Sequence, residues 1–186
     1  MNTAYKLQGI HRHYEWGGQS FIPKLMHIDN ATSKPFAEYW MGAHPSAPSI
    51  VETPEGAMAL DQMIAENTIQ FLGAKTTDRF GSLPYLFKIL DVEKMLSIQV
   101  HPSKENAEKG FNKEQIAGVP IDAAHRNYKD QNHKPEVMVA LSDFWLLHGF
   151  MPANALKERL ANLAPLQSLL DVFGLEDYAG LYGHFM

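Results

Sequence analysis

The chain has 186 residues, 45% of them hydrophobic, and no cysteine, which fits one domain, or one domain with part of another, around a packed core. Without cysteine there are no disulfides or thiolate metal sites, so any metal must be held by imidazole, carboxylate or amide groups, and a formal charge of −5 argues against nucleic acid as a partner. No run approaches the roughly 18 apolar residues of a membrane span, and Met1-Asn2-Thr3-Ala4-Tyr5-Lys6 lacks the apolar core of a signal peptide, so no membrane is expected as a partner and the cytoplasm is the expected compartment.

Residues 5–51 read as short strands joined by turns. Gly17-Gly18 marks a turn after Trp16. Phe21 to Ile28 reads as a strand interrupted by Pro23, and Ala37 to Met41 as another, rich in aromatic residues. His11, His13, His27 and His44 are scattered, and scattered histidines are usually structural or solvated. Trp16 and Trp40 are assigned to the core or to a pocket wall. Over 57–75 the period changes: Leu60, Met63, Ile64 and Phe71-Leu72 predict a helix after the turn Thr53-Pro54-Glu55-Gly56, with Gly73 as its stop.

Residues 83–101 predict two strands joined through Asp91-Val92-Glu93-Lys94. Lys88 lies among Leu86, Phe87, Ile89 and Leu90, where it either snorkels to an edge or points into a polar cavity. The second strand, Leu96-Ser97-Ile98-Gln99-Val100-His101, alternates until Pro102 ends it. Leu96, Ile98 and Val100 take one face; Ser97, Gln99 and His101 the other. Gln99 and His101, two residues apart, can reach one metal ion from one side of a sheet. If the strands are neighbours, Lys88 joins that polar face, where a cation suits a phosphate or a developing oxyanion.

Ser103 is a candidate N-cap for a helix that Gly110 and Gly118-Val119-Pro120 interrupt. Glu105 follows near the start of that helix, where it complements the dipole. Tyr128-Lys129-Asp130-Gln131-Asn132-His133-Lys134-Pro135-Glu136 then packs charge, imidazole and amide into one stretch before the apolar run Val137-Met138-Val139-Ala140-Leu141. Pro135 biases Lys134 toward an extended conformation, placing Glu136 at the mouth of a predicted strand. Residues 136–150 read as a strand pair that includes Phe144-Trp145-Leu146-Leu147-His148. From Pro152 onward, Leu156, Leu160, Leu163, Leu166, Leu169-Leu170 and Phe173 predict amphipathic helices broken at Pro165, with Asn154 as a cap.

Tyr128 to Glu136 resembles the Tyr-x-Asp-x-Asn-His-Lys-Pro-Glu motif of type I mannose-6-phosphate isomerases, with every fixed position filled. Leu83 to Leu90 and Leu96 to Pro102 resemble that family's preceding blocks, Glu38 to Ser46 its N-terminal block and Trp16-Gly17-Gly18 its opening one. The resemblance runs in order over roughly residues 1–155. It implies a mainly β, cupin-type jelly roll with added helices: a cupin-like catalytic domain over 1–151 and the beginning of a helical domain over 152–186. Family members are about twice this long, and they take a fourth ligand, a His, and an active-site Arg from a part that has no counterpart here.

What the resemblance implies chemically is one Zn²⁺ per chain, held by Gln99, His101 and Glu136. The spacing Gln99-x-His101-x-x-x-Glu105 also fits a cupin pattern, but the family uses the Glu of its His-Lys-Pro-Glu step. The implied reaction interconverts mannose 6-phosphate and fructose 6-phosphate through an enediolate, so the partner is a small sugar phosphate. Ser97 and Lys88 would contact substrate or phosphate, with Lys88 also a catalytic candidate. His133 and Lys134 are the candidates for proton transfer or oxyanion stabilisation. His133 has a pKa range that suits a base; Lys134 would need desolvation to lower its own. Two other classes compete. A truncated cupin would bind metal or sugar phosphate without turnover. An Fe(II) cupin oxygenase would want two His and one carboxylate, and Gln99 supplies no second imidazole.

Overall fold

The computed structural model describes residues 4–185. The chain divides into two compact units, Met1–His101 and Pro102–Met186. Helix takes 37% of the residues and strand 13%, so helix outweighs the strand content expected.

The first unit holds two antiparallel sheets. Strands β1 (Lys6–Gln8) and β2 (Ile10–Arg12) follow one another, yet belong to different sheets. The switch falls at Gly9. A side chain there would run into the Trp40 carbonyl and lie 2.7 Å from the Tyr39 ring, while the Gly9 N–H donates to Tyr39 Oη at 2.7 Å. Helix α1 (Phe21–Leu25) precedes β3 (Glu38–Met41), β4 (Ile50–Thr53) and β5 (Gly56–Ala59). One sheet has the order β1-β4-β5. Helices α2 (Leu60–Glu66), α3 (Thr68–Leu72) and α4 (Ala74–Phe80) follow it, and β6 (Phe87–Leu90) completes the second sheet in the order β2-β3-β6.

The second sheet has two unlike faces, as period-2 alternation requires. Tyr39, Met41 and Ile89 pack with Ile22, Phe36, Met26 and Ile28 in the core of this unit. Ile22 is fully buried, a burial that stabilises by about 2 kcal/mol. The opposite face takes Arg12, Glu38, Trp40 and Lys88, since Arg12 lies across from Glu38 and Trp40 across from Lys88.

Several expected elements differ. Phe21 to Leu25 is a helix, with Lys24 N–H bonded to Ser20 O and Met26 N–H to Ile22 O, both at 2.9 Å. Pro23 sits in the first turn, where its missing N–H costs nothing. The helix expected over 57–75 begins instead with β5 and continues as separate short helices. Leu96–His101, Val137–Leu141 and Phe144–Phe150 have no strand ladder. Alternation sets faces only once a neighbour supplies hydrogen bonds, and here Val100 is 83% and Val137 95% exposed. The strand carrying Lys88 is therefore paired with β3 and not with 96–101.

In the second unit, α5 (Lys104–Ile116) is capped by Ser103, whose Oγ accepts from Asn106 N–H at 3.2 Å. Gly110 lies inside it and does not break it. Gly118, at φ 71°, ends it with Val119 N–H returning to Glu114 O at 3.0 Å, the left-handed stop that glycine takes without strain. Helix α6 (Ala153–Asn162) starts at Pro152, so Asn154 lies in its first turn and is not the cap. A 3₁₀ turn at Ala164–Leu166 contains Pro165 and leads into α7 (Gln167–Phe185), which kinks at Asp177. Leu160, Leu169 and Phe173 form the buried seam of this helix pair.

Candidate active-site elements

In the first unit Lys88 is the best-defined of the expected site residues. Its Nζ lies 3.8 Å from Glu38 Oε1 and 4.6 Å from the centre of the Trp40 ring. Glu38 is buried, and its Oε2 accepts the Trp40 indole N–H at 2.6 Å. Arg12 stands over the same ring at 4.9 Å, and the His44 ring lies 5.1 Å away. Trp40 is buried at the centre of these groups, and Glu38 is part of the arrangement. Ser97, Gln99 and His101 are exposed in a segment without regular structure.

His11 lies on the core face against Phe36 and Tyr39, 5.1 and 4.6 Å between ring centres. Its Nδ1 is buried without a hydrogen-bond partner among the described residues. Burial, helped by His13 and Lys34, holds its pKa below the ordinary 6.5, because the charged form loses its hydration there.

In the second unit α5 serves as a back-plate for the Tyr128–Glu136 segment. Glu114 accepts two backbone N–H groups, Asn127 to Oε1 at 3.0 Å and Tyr128 to Oε2 at 2.8 Å. These donors lower its pKa from the usual 4.5, with the nearby Arg126 adding to the effect. Arg126 has a fully buried side chain. It donates to Tyr128 O at 2.8 Å, to Val119 O and to Gln115 Oε1 at 3.3 Å, and its guanidinium covers Phe111 at 4.9 Å. A buried guanidinium is tolerable only with its donors used in this way.

Further along, the Tyr128 ring packs where a side chain on Gly110 would otherwise sit. Lys104 Nζ donates to Gln131 O at 2.9 Å, and Gln131 Nε2 donates to Asn112 Oδ1 at 3.2 Å. Asn132 N–H turns back onto Asp130 Oδ1 at 2.7 Å. The start of the segment is therefore pinned at Tyr128, Gln131 and Asn132, and the exposed His133, Lys134 and Glu136 follow directly. Glu105 lies in the first turn of α5, paired with Lys109 at 2.6 Å, as its helix-dipole role requires.

Among the described residues no three His, Asp or Glu side chains gather into a metal-binding group. The expected ligand set is of another kind, with one amide, one imidazole and one carboxylate. Gln99 and His101 belong to the first unit and Glu136 to the second. Arg126 and Glu114 were not singled out by sequence; the only signal was a lone Arg two residues before the motif.

The motif segment anchored on α5 and the lysine on the sheet face lie within the stretch whose family the comparison with known proteins identifies. Residues 4–153 match the sequence model described as "Phosphomannose isomerase type I, catalytic domain", and the chain belongs to that family. It is 43% identical over 169 residues to mannose-6-phosphate isomerase of Salmonella typhimurium, covering 90% of this chain and 43% of that protein. It is 46% identical over 146 residues to the Escherichia coli protein of the same name, covering 78% and 37%. A crystal structure of the Salmonella enzyme bound to fructose 6-phosphate and zinc superposes with a TM-score of 0.64 at 47% identity, over 70% of this chain and 33% of that one. This chain thus spans less than half the length of these relatives.

Proposed function

We propose that this chain acts as a zinc-dependent mannose-6-phosphate isomerase, interconverting mannose 6-phosphate and fructose 6-phosphate. The observation that carries the reading is the complete Tyr128–Glu136 motif, held on α5 by Glu114 and Arg126 inside the stretch that matches the family. Its two small antiparallel sheets would be part of the family's cupin-type jelly roll, with residues 1–151 the catalytic portion and 152–186 the start of a helical one.

Gln99, His101 and Glu136 would hold the metal. Their oxygen and nitrogen donors suit Zn²⁺, which also accepts oxygen ligands where thiolate is absent. When bound, zinc polarises a carbonyl or hydroxyl oxygen of the sugar. Ser97 and Lys88 would contact the substrate. His133 or Lys134 would move the proton between the first two sugar carbons by way of an enediolate, or stabilise its oxygen. The cytoplasm suits such a sugar-phosphate enzyme. A second reading is a chain that binds metal or sugar phosphate without turnover.

The ligand assignment is tested by zinc content after dialysis. About one zinc per chain is expected, lost in His101→Ala and in Glu136→Gln and kept in Glu105→Gln. Loss on changing Glu105 with retention on changing Glu136 would overturn the ligand set.

A further inference from the structure

We propose that Glu38, fixed by the Trp40 indole, is a positioning residue for Lys88. The inference rests on the reading of Lys88 as a substrate contact, but its geometry stands without it.

The three side chains share one face of the second sheet, Glu38 and Trp40 on β3 and Lys88 on β6 directly across from Trp40. They touch in a triangle. The indole N–H donates to one oxygen of Glu38 at 2.6 Å. The other oxygen faces the Lys88 ammonium at 3.8 Å, and that ammonium lies 4.6 Å over the indole ring. Arg12 braces the ring from β2 at 4.9 Å.

A lysine side chain has four rotatable bonds, and its ammonium wanders unless something holds it. Here a ring face and a carboxylate hold it without a hydrogen bond. The 3.8 Å separation exceeds ordinary hydrogen-bond length, and among the described residues the ammonium donates to no side chain or carbonyl at that length. The Lys88 side chain is 31% exposed, which leaves its N–H groups available to a ligand oxygen. Glu38 is only 8% exposed, and a carboxylate so buried needs partners of this kind. The indole N–H fixes which way it points. The arrangement is what an electrostatic group needs: a charge held in place before the ligand arrives.

The test reads Lys88 directly, in the whole chain. With ¹³C-labelled lysine, the Lys88 ε-CH₂ resonance, assigned by its absence in Lys88→Met, should be shifted upfield of the other lysines by the Trp40 ring. Glu38→Gln should remove more than half of that displacement, Glu38→Asp should restore part of it, and Trp40→Phe, which keeps a ring but removes the indole N–H, should resemble Glu38→Gln. Amide signals of Tyr39 and Ile89 on the core face report that the sheet is intact. In any sample that turns over mannose 6-phosphate, Glu38→Gln should lower kcat at least tenfold with KM changed less than threefold. An unmoved Lys88 resonance in Glu38→Gln overturns the positioning role even where turnover persists. A moved resonance in a chain without turnover supports the positioning and counts only against the isomerase reading.

Discussion

Replacing Arg126 with Met should release the Tyr128–Glu136 segment from α5 while leaving the rest of the second unit folded. The arginine side chain is fully buried, and Met fills its volume without its donors. Tyr128 O and Val119 O lose their N–H partners. Hydrogen bonds to a charged group contribute about 1.5–3 kcal/mol each, and buried acceptors left alone carry a further penalty. A local loss of about 3 kcal/mol follows once relaxation and water entry are allowed for. At about 1.4 kcal/mol per factor of ten, amide exchange at Asn127 and Tyr128 should accelerate on the order of a hundredfold. Exchange in α6 and α7, which pack through Leu160, Leu169 and Phe173, should change little. Hydrogen exchange read by NMR decides the matter. Arg126→Lys should fall between the two, since it keeps the charge and loses the planar fork. Unchanged exchange at Asn127 and Tyr128 in Arg126→Met would refute the clamp.

Other outcomes follow from single groups. The Glu114 carboxyl is held below its ordinary pKa of 4.5, so its contribution is present above that pH and disappears as pH falls through the lower folded value; Glu114→Gln should flatten the acid limb of thermal melts recorded between pH 7 and 3. His11 is also depressed, but it is a base, so the fold favours its neutral form. Stability should therefore fall as pH drops below about 6.5, and His11→Phe, which removes the unpartnered Nδ1, should lessen that fall. Gly110→Ala should destabilise by about 1–2 kcal/mol in urea melts, because the clash with the Tyr128 ring outweighs the gain of about 1 kcal/mol in helix propensity. A stabilised Gly110→Ala would show that Tyr128 does not lie against α5.

Local chemistry was the legible part of this sequence. The Ser103 cap, the glycine stop after α5, the aromatic strand β3 and the helices after Pro152 each depend on residues close in the chain, and each formed. Pro23 misled because a proline that interrupts a strand serves equally well in the first turn of a helix. The alternation at Leu96–His101 set the order of side chains along the segment. A ladder needs a neighbour, and the spacing of Lys88 from that segment could not say that β3 would take the place beside β6. The Glu38–Trp40–Lys88 triangle joins residues some fifty positions apart, so no spacing rule reaches it. Arg126 was overlooked for a related reason: its acceptors are mostly backbone carbonyls, which carry no sequence signature.

The central claim is tested most directly by mannose 6-phosphate isomerisation with this chain, in a coupled assay with zinc added and then with a chelator. The account predicts turnover that the chelator abolishes, zinc restores and Glu136→Gln lacks. A folded, zinc-loaded chain with no turnover would contradict it and leave this chain a metal- or sugar-phosphate-binding portion of the longer family enzyme.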